Sequence, residues 1–467
     1  MQILPSSPAP ASAGLVLAPF RGVRYALDRV SGLAEVTSPP YDVIGSENED
    51  QLLAADPHNV VRIIRPRHAA GQPGTAWDDA AADLATWLAQ AILVPDDRPA
   101  LYVYEQLTAG SDGAPGHLQR GLIGAVALTP REAGIILPHE AVAPGPVAGR
   151  LALMMATQAN LEPIFLLYDG AIGNAGTGTP SGTGGVTGAG GTQRTDGAAA
   201  RILAETARQR PVLAEAVTAD GFRHRLWAIT DPAALGAIAA DLQDRTALIA
   251  DGHHRYAAYL ELQEHCRKAG QGSGPWDFGL AMLVDSDAYP PAVGGIHRVI
   301  PGLAPATAAD LAGTAFKVAE SPGGMADLPV ALRELEEAGR HGVAYLLAGD
   351  GRVWLLTDPD PAQVAAAMPD KPAEPWRRMP AAVLQDLLLG RIWQVSDDEA
   401  AVRAVHDPVA AARAATATPG AVAVLCAPMS AADVYEVAAQ GAIVPRKSTS
   451  FGPKPRTGLV FRTFAEG

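Results

Sequence analysis

Cysteine is almost absent from this chain. Its 467 residues include only Cys266 and Cys426, far apart and in no metal-ligand spacing, which excludes a disulfide framework and a cysteine-held zinc site. No apolar run reaches the roughly 18 residues of a membrane span. The N-terminal stretch MQILPSSPAPASAGLVLAPF has neither the basic start nor the apolar core of a secretory signal, so a cytoplasmic protein is expected. Positive charge is also in short supply. Lys and Arg number 36 against 50 Asp and Glu, a net charge of −14, and so acidic a chain is poorly suited to DNA. Three signatures are missing as well: H-E-x-x-H for zinc, G-x-x-x-x-G-K for a P-loop, and G-x-G-x-x-G between a strand and a helix.

What is present is an ordinary globular composition, 48% hydrophobic and 18% charged, long enough for two or three domains. Residues 1–13 read as a disordered tail and 14–168 as an α/β region of short strands, Pro-rich turns and helices. Within it, Leu101–Tyr104 and Gly121–Leu128 read as a hairpin joined through Gly110–Gly113. Arg150–Asn160 reads as a helix and Ile164–Tyr168 as a buried strand. Residues 169–199 are Gly-rich and without hydrophobic periodicity, a disordered insertion. Residues 200–303 form a core segment and 304–467 a C-terminal α/β region; the fold class expected is α+β with a mixed sheet.

The most informative stretch is Thr246–Tyr259, TALIADGHHRYAAY. An apolar run stops at Asp251-Gly252, and a helix opens at His253, ending near Arg267, Lys268 and Gly270. A helix start favours phosphate through its backbone N–H groups and dipole, and Arg255 offers a forked contact. His253 and His254 could donate to phosphate, but as neighbours they point apart and make poor joint metal ligands. The plain alternative is a capped helix with surface His and Arg.

Three other clusters accompany it. In Ser38-Pro39-Pro40-Tyr41-Asp42 the prolines stiffen a loop that presents Asp42, suited to Mg²⁺ or to taking a hydroxyl proton, or simply to capping the next helix. His139 and Glu140 pair an imidazole with a carboxylate, a base and its orienter or a surface ion pair. Arg298 follows Gly294-Gly295-Ile296-His297, and Arg446-Lys447-Ser448-Thr449 leads into Pro453-Lys454-Pro455-Arg456, four cations and several hydroxyls in one loop of an acidic chain.

These motifs together resemble the bacterial and archaeal "domain of unknown function 1015" family, from Ala18-Pro19-Phe20-Arg21-Gly22 to Thr457-Gly458-Leu459-Val460. The shared blocks include Pro39-Pro40-Tyr41-Asp42-Val43-Ile44, Asn59-Val60-Val61-Arg62, Pro138-His139-Glu140, Asn160-Leu161-x-Pro163, Arg223-His224-Arg225, Asp251-Gly252-His253-His254-Arg255-Tyr256 and Lys447-Ser448-Thr449. The chain departs from that family in its long Gly-rich insertion, in Gly-Gly-Ile before His297-Arg298, and at Ser450-Phe451-Gly452. Through the Asp-Gly-x-His-Arg block the family is similar to the ParB/sulfiredoxin-like superfamily, which includes CTP-hydrolysing partition proteins and free-serine kinases. The resemblance implies a nucleotide site: ATP or ADP, with CTP as the alternative, and Mg²⁺.

The resulting expectation is a nucleotide-dependent phosphotransferase for a small hydroxyl metabolite such as serine or phosphoserine. Asp251, Gly252, His253, His254, Arg255, Arg298, Lys447, Ser448 and Thr449 hold the nucleotide; Asp42, His139, Glu140 and His254 serve catalysis, with Asp42 and Glu140 on the metal. The alternatives are a CTP- or ATP-binding regulatory protein, a phosphoserine phosphatase-type hydrolase, and a scaffold whose motifs are only capped turns.

Overall fold

The computed structural model describes residues 14–68, 74–108, 116–169, 171–172, 195–369, 376–397, 401–445 and 448–466. The expected tail 1–13, the turn 110–113, most of the Gly-rich insertion, and Lys447 lie outside these residues. The backbone at 171–172 pairs antiparallel with 195–196. The fold is α+β. Contacts divide the chain into two units: Met1–Pro138, Val142–Pro291 and Pro453–Gly467 make one, His139–Ala141 with Ala292–Gly452 the other.

The first unit is built on a nine-stranded mixed sheet. Its strands are β1 (Leu17–Ala18), β2 (Leu101–Leu107), β3 (Leu118–Ala127), β4 (Ile136–Leu137), β5 (Ile164–Tyr168), β6 (Ala214–Val217), β7 (Arg223–Ile229), β8 (Ala247–Asp251) and β9 (Phe278–Asp285). They lie in the order β6-β7-β2-β3-β9-β5-β8-β4, with β1 on β3. β5 runs parallel to β9 and antiparallel to β8, and β8 runs parallel to β4. The expected core segment 200–303 therefore shares one sheet with strands from 101–168, since β9 is flanked by β3 and β5.

β5 and β8 are buried at every residue. A strand covered on both faces reads as a continuous apolar run rather than an alternation, which is why both were visible in the sequence. Helix α1 (Ala76–Ala89) opens with a capping box between Thr75 and Asp78. Helix α2 runs Pro144–Thr157, earlier than expected, because Pro144 sets its first turn and Gln158 ends it in the left-handed region. Helix α3 (His253–Lys268) follows β8, and its Tyr256, Tyr259 and Leu262 join Met154 of α2 in the core cluster with Ile164 and Leu166 of β5.

The second unit carries a six-stranded antiparallel sheet that includes His297–Ile300, Tyr345–Gly349, Arg352–Thr357 and Val422–Cys426. Leu335 of the helix Leu328–His341 and Ala411 and Ala415 of the helix Pro408–Thr416 pack with Leu346 and Leu425 in its core. Residues Val383–Trp393 form a π-helix. Among the described residues no helix is long and apolar enough to cross a membrane.

Candidate functional site

β8 pairs regularly with β5 as far as Ile249, then slips by one residue, so that Ile249 and Asp251 face the consecutive residues Leu166 and Phe165. A bulge of this kind ends the regular ladder and re-aims the side chain that follows. Gly252 then turns the chain at φ +93°, where a Cβ would sit 3.0 Å from Ile164 and 3.1 Å from the Arg255 Nε. Glycine is required here by both conformation and space. No side chain caps α3.

Asp251 is the focus of the turn. It is 8% exposed, and its Oδ2 accepts from Arg255 Nη2 at 2.6 Å. Its Oδ1 is ion-paired with Lys454, whose ammonium is also 3.6 Å from Asp42 Oδ2. Burial acts to lower the Lys454 pKa, but the two carboxylates outweigh it and the net shift is upward, so the ammonium stays charged. Arg255 is 4% exposed and spends Nη1 on the Pro163 carbonyl and Nη2 on Asp251, while its buried Nε has no hydrogen-bond partner among the described residues.

The two histidines differ. His253 is buried, and desolvation, reinforced by His254, Lys454 and Arg255, holds its pKa down at about 3. It is neutral at physiological pH. His254 is half-buried, and its Nε2 accepts from the backbone N–H of Ala143, the residue that opens α2, at 3.0 Å.

The loop that presents Asp42 is held from several directions. Ser38 and Thr457 exchange backbone hydrogen bonds in an isolated antiparallel bridge. Val43 N–H closes a turn on Pro40 O at 3.1 Å. Glu162, 4% exposed, accepts from the Tyr41 N–H at 3.0 Å and the Thr457 hydroxyl at 3.3 Å through one carboxylate oxygen, and meets Arg150 Nη1 at 3.4 Å through the other. Arg150 in turn lies over the Tyr41 ring, 4.1 Å from its centroid. Glu162 occupies the unassigned position of Asn160-Leu161-x-Pro163, between residues that drew attention as a block.

Beside Asp42 opens a cleft of about 480 Å³ lined by Tyr41, Asp42, Glu49, Arg65, Pro66, Arg67, Trp77 and Arg150.

The remaining expected site residues belong to the second unit. His139 is 1% exposed, with Nε2 3.1 Å from the Thr449 hydroxyl and its ring edge-on to Phe451. Glu140 bridges Val444 through its backbone, and the Ser448 hydroxyl donates to the Pro445 carbonyl. Arg298 is buried in its strand, with Nη1 on the Ile296 carbonyl at 3.0 Å and Asp397 at 4.0 Å. Thus Asp42, Asp251, Gly252, His253, His254 and Arg255 share the first unit, while His139, Glu140, Arg298, Ser448 and Thr449 share the second. Lys454 was legible only as one of several cations in the C-terminal loop, flanked by Pro453 and Pro455. No cluster of three or more His, Cys, Asp or Glu able to hold a metal occurs among the described residues. Magnesium commonly needs only one or two protein carboxylates plus phosphate oxygens; Asp42, with its side chain 40% exposed, is the carboxylate here that fits such a role, since Asp251 has one oxygen on Arg255 and the other on Lys454.

The buried imidazoles carry a pH consequence. His224 is also held down at about 4, by burial and by Arg456. An unfolded histidine takes up its proton near pH 6.5, whereas folded His224 and His253 resist until about pH 4 and 3. Their contribution is therefore full above about pH 6.5 and is lost as pH falls toward those values. Urea unfolding from about pH 7 to about pH 4.5 should show falling stability, with a shallower fall in His253→Gln. An identical slope in that variant would remove His253 from the account.

A mixed sheet carrying a strand–glycine–helix turn, with a lysine clamped between two carboxylates at the turn, defines an α+β protein with a polar site at a strand end. The chain belongs to the family described as protein of unknown function DUF1015, whose model matches residues 17–175 and 191–382. No curated protein matches it. Among solved structures it is similar to free serine kinase in complex with AMP, at 14% identity and TM-score 0.30, over 68% of this chain and 86% of that one. It is similar to a conserved hypothetical protein from Pyrococcus furiosus at 12% and 0.29, over 68% and 87%, and to C-terminally truncated SbnI from Staphylococcus aureus at 10% and 0.31, over 70% and 81%. Likeness at this level carries no argument about the site.

Proposed function

We propose that the chain is a cytoplasmic, nucleotide-dependent phosphotransferase of ParB/sulfiredoxin-like type, acting on a small hydroxyl metabolite such as serine. The observation that carries the reading is the half-buried Lys454 ammonium between Asp251 and Asp42, at the start of a helix that no side chain caps. Phosphoryl transfer calls mainly for positioning and charge neutralisation. The turn at Gly252–Arg255 supplies a helix start for phosphate, and Lys454 a fixed positive charge. Asp42, with its side chain 40% exposed at the cleft, is the group to take the acceptor's proton or to hold Mg²⁺ against the phosphates. His253, neutral and buried, adds no competing charge. Two free buried cysteines, Cys266 and Cys426, suit a reducing compartment.

The test is calorimetric titration of the pure protein with ATP, ADP and CTP, followed by phosphorus NMR of the nucleotide with a panel of hydroxyl metabolites. The expected result is binding of at least one nucleotide and transfer that Asp42→Asn lowers by about 10²-fold or more. Absence of nucleotide binding would sink the reading. Binding without transfer to any acceptor would leave a nucleotide-gated regulatory protein in its place.

A further inference from the structure

The cleft beside Asp42 has a charge pattern that the phosphate turn does not need. Arg150 forms part of its wall and is 8% exposed. The guanidinium is fixed rigidly: Nη1 donates to the Ile64 carbonyl at 2.9 Å and to Glu162, and the plane is held 4.1 Å from the Tyr41 centroid and 5.8 Å from that of Trp77. Nε and Nη2 make no hydrogen bond to the described residues, and neither is among the buried atoms sealed from solvent. A guanidinium nine-tenths buried, stacked on an aromatic ring and still holding two donors is poised for a planar oxyanion, because the fork matches a carboxylate in both spacing and plane.

Two more guanidinium groups, Arg65 and Arg67, stand at the same cleft. Glu49, with its side chain 8% exposed, holds Arg65 at 3.0 Å and Arg67 at 2.6 Å. Arg65 spends Nη1 on the Tyr41 and Ile44 carbonyls, whereas Arg67 keeps Nη1 uncommitted and its side chain 55% exposed. Glu49 and Asp50, the latter 2.8 Å from Arg67 Nη2, fix both side chains and offset their charges, so what the cleft offers an anion is the open donors of Arg150 and Arg67 Nη1.

We propose that this cleft binds the phosphoryl acceptor by a carboxylate, seated on Arg150 with Arg67 at the rim, so that the acceptor's hydroxyl is presented toward Asp42. The acceptor class is a small hydroxy acid or hydroxy amino acid. This rests on the phosphotransferase reading, but the recognition itself is a separate equilibrium and can be measured without nucleotide.

The experiment titrates the full-length protein with L-serine, D-glycerate and ethanolamine, the last keeping the hydroxyl and amine of serine without its carboxylate. Serine or glycerate should bind and ethanolamine should not. Arg150→Lys, which keeps a charge but loses the fork, should weaken carboxylate binding by about tenfold or more while nucleotide affinity stays within about threefold. Arg67→Ala, at a position 55% exposed that leaves Glu49 its pair with Arg65, should weaken carboxylate binding alone, with a thermal melt as the check on folding. Ethanolamine binding as tightly as serine, or Arg150→Lys and Arg67→Ala both leaving the carboxylate affinity unchanged, would overturn the proposal. Carboxylate binding by a protein that binds no nucleotide would keep the cleft assignment and remove the phosphotransferase reading.

Discussion

On the proposed phosphotransferase reading, Lys454→Met should abolish most phosphoryl transfer, by about 10²–10³-fold, with a parallel loss of nucleotide affinity. The argument is electrostatic. The ammonium is 20% exposed, ion-paired with Asp251 and 3.6 Å from Asp42. Removing it leaves two carboxylates near one another with only Arg255 on Asp251, so an incoming phosphate meets net negative charge where the four groups had balanced. Attraction in a water-poor site is much stronger than at a free surface, so the loss exceeds that of an exposed lysine. Lys454→Arg restores the charge and should recover part of the binding, though its planar fork will not reproduce a point charge held between two carboxylates. Circular dichroism and thermal melts of both variants separate loss of chemistry from loss of fold. A folded Lys454→Met protein with activity within about threefold of wild type would show that Lys454 only neutralises Asp251 and Asp42 and has no part in transfer.

Glu162→Ala destabilises the first unit by about 3–5 kcal/mol, the range for breaking a buried ion pair by removing one partner. Glu162 accepts from Tyr41 and Thr457 and faces Arg150, and its charge also favours the ionised form of buried Arg255. Truncation leaves Arg150 buried without its carboxylate and lets go of the loop that presents Asp42. Glu162→Gln keeps the acceptor and loses the charge, so it should fall between wild type and alanine. Urea midpoints decide it: a Glu162→Ala midpoint equal to wild type would mean that water replaces the carboxylate at no cost. Transfer should fall in Glu162→Gln as well, because a looser Asp42 is misplaced relative to the turn.

How much of this was legible depends on the range of the interactions involved. The Thr246–Tyr259 stretch could be read residue by residue, since an apolar run, a glycine and a polar helix start are local signals, and the structure has β8, Gly252 at φ +93° and α3 in that order. Asp42 could be singled out because two prolines stiffen the chain ahead of it. Glu162 carried no signal, since a glutamate between Leu161 and Pro163 looks like any surface acid until the packing buries it. Arg150 was noted only as the first residue of an expected helix. Trp77, Glu49 and Arg67 drew no attention at all, because a cleft wall assembled from separate helices and loops leaves no periodic mark. Lys447 was chosen as part of the Lys447-Ser448-Thr449 block and lies outside the described residues, whereas Lys454, which reaches Asp251, belonged to no such block.

The amino-acid sequence by itself determined the α+β class, the strand–glycine–helix turn and the stiff loop at Asp42, all of them set by interactions within a few residues. Which charges meet was decided only by the tertiary structure. Asp42, Glu162, Asp251 and Lys454 come together because Ser38 bridges Thr457 and β8 lies against β5. The first of these pairings joins positions 419 residues apart (Ser38 and Thr457) and the second positions 83 apart (Leu166 and Ile249). Their energy comes from burying shared apolar faces, and no local pattern of side chains encodes which distant cation will be left beside which carboxylate.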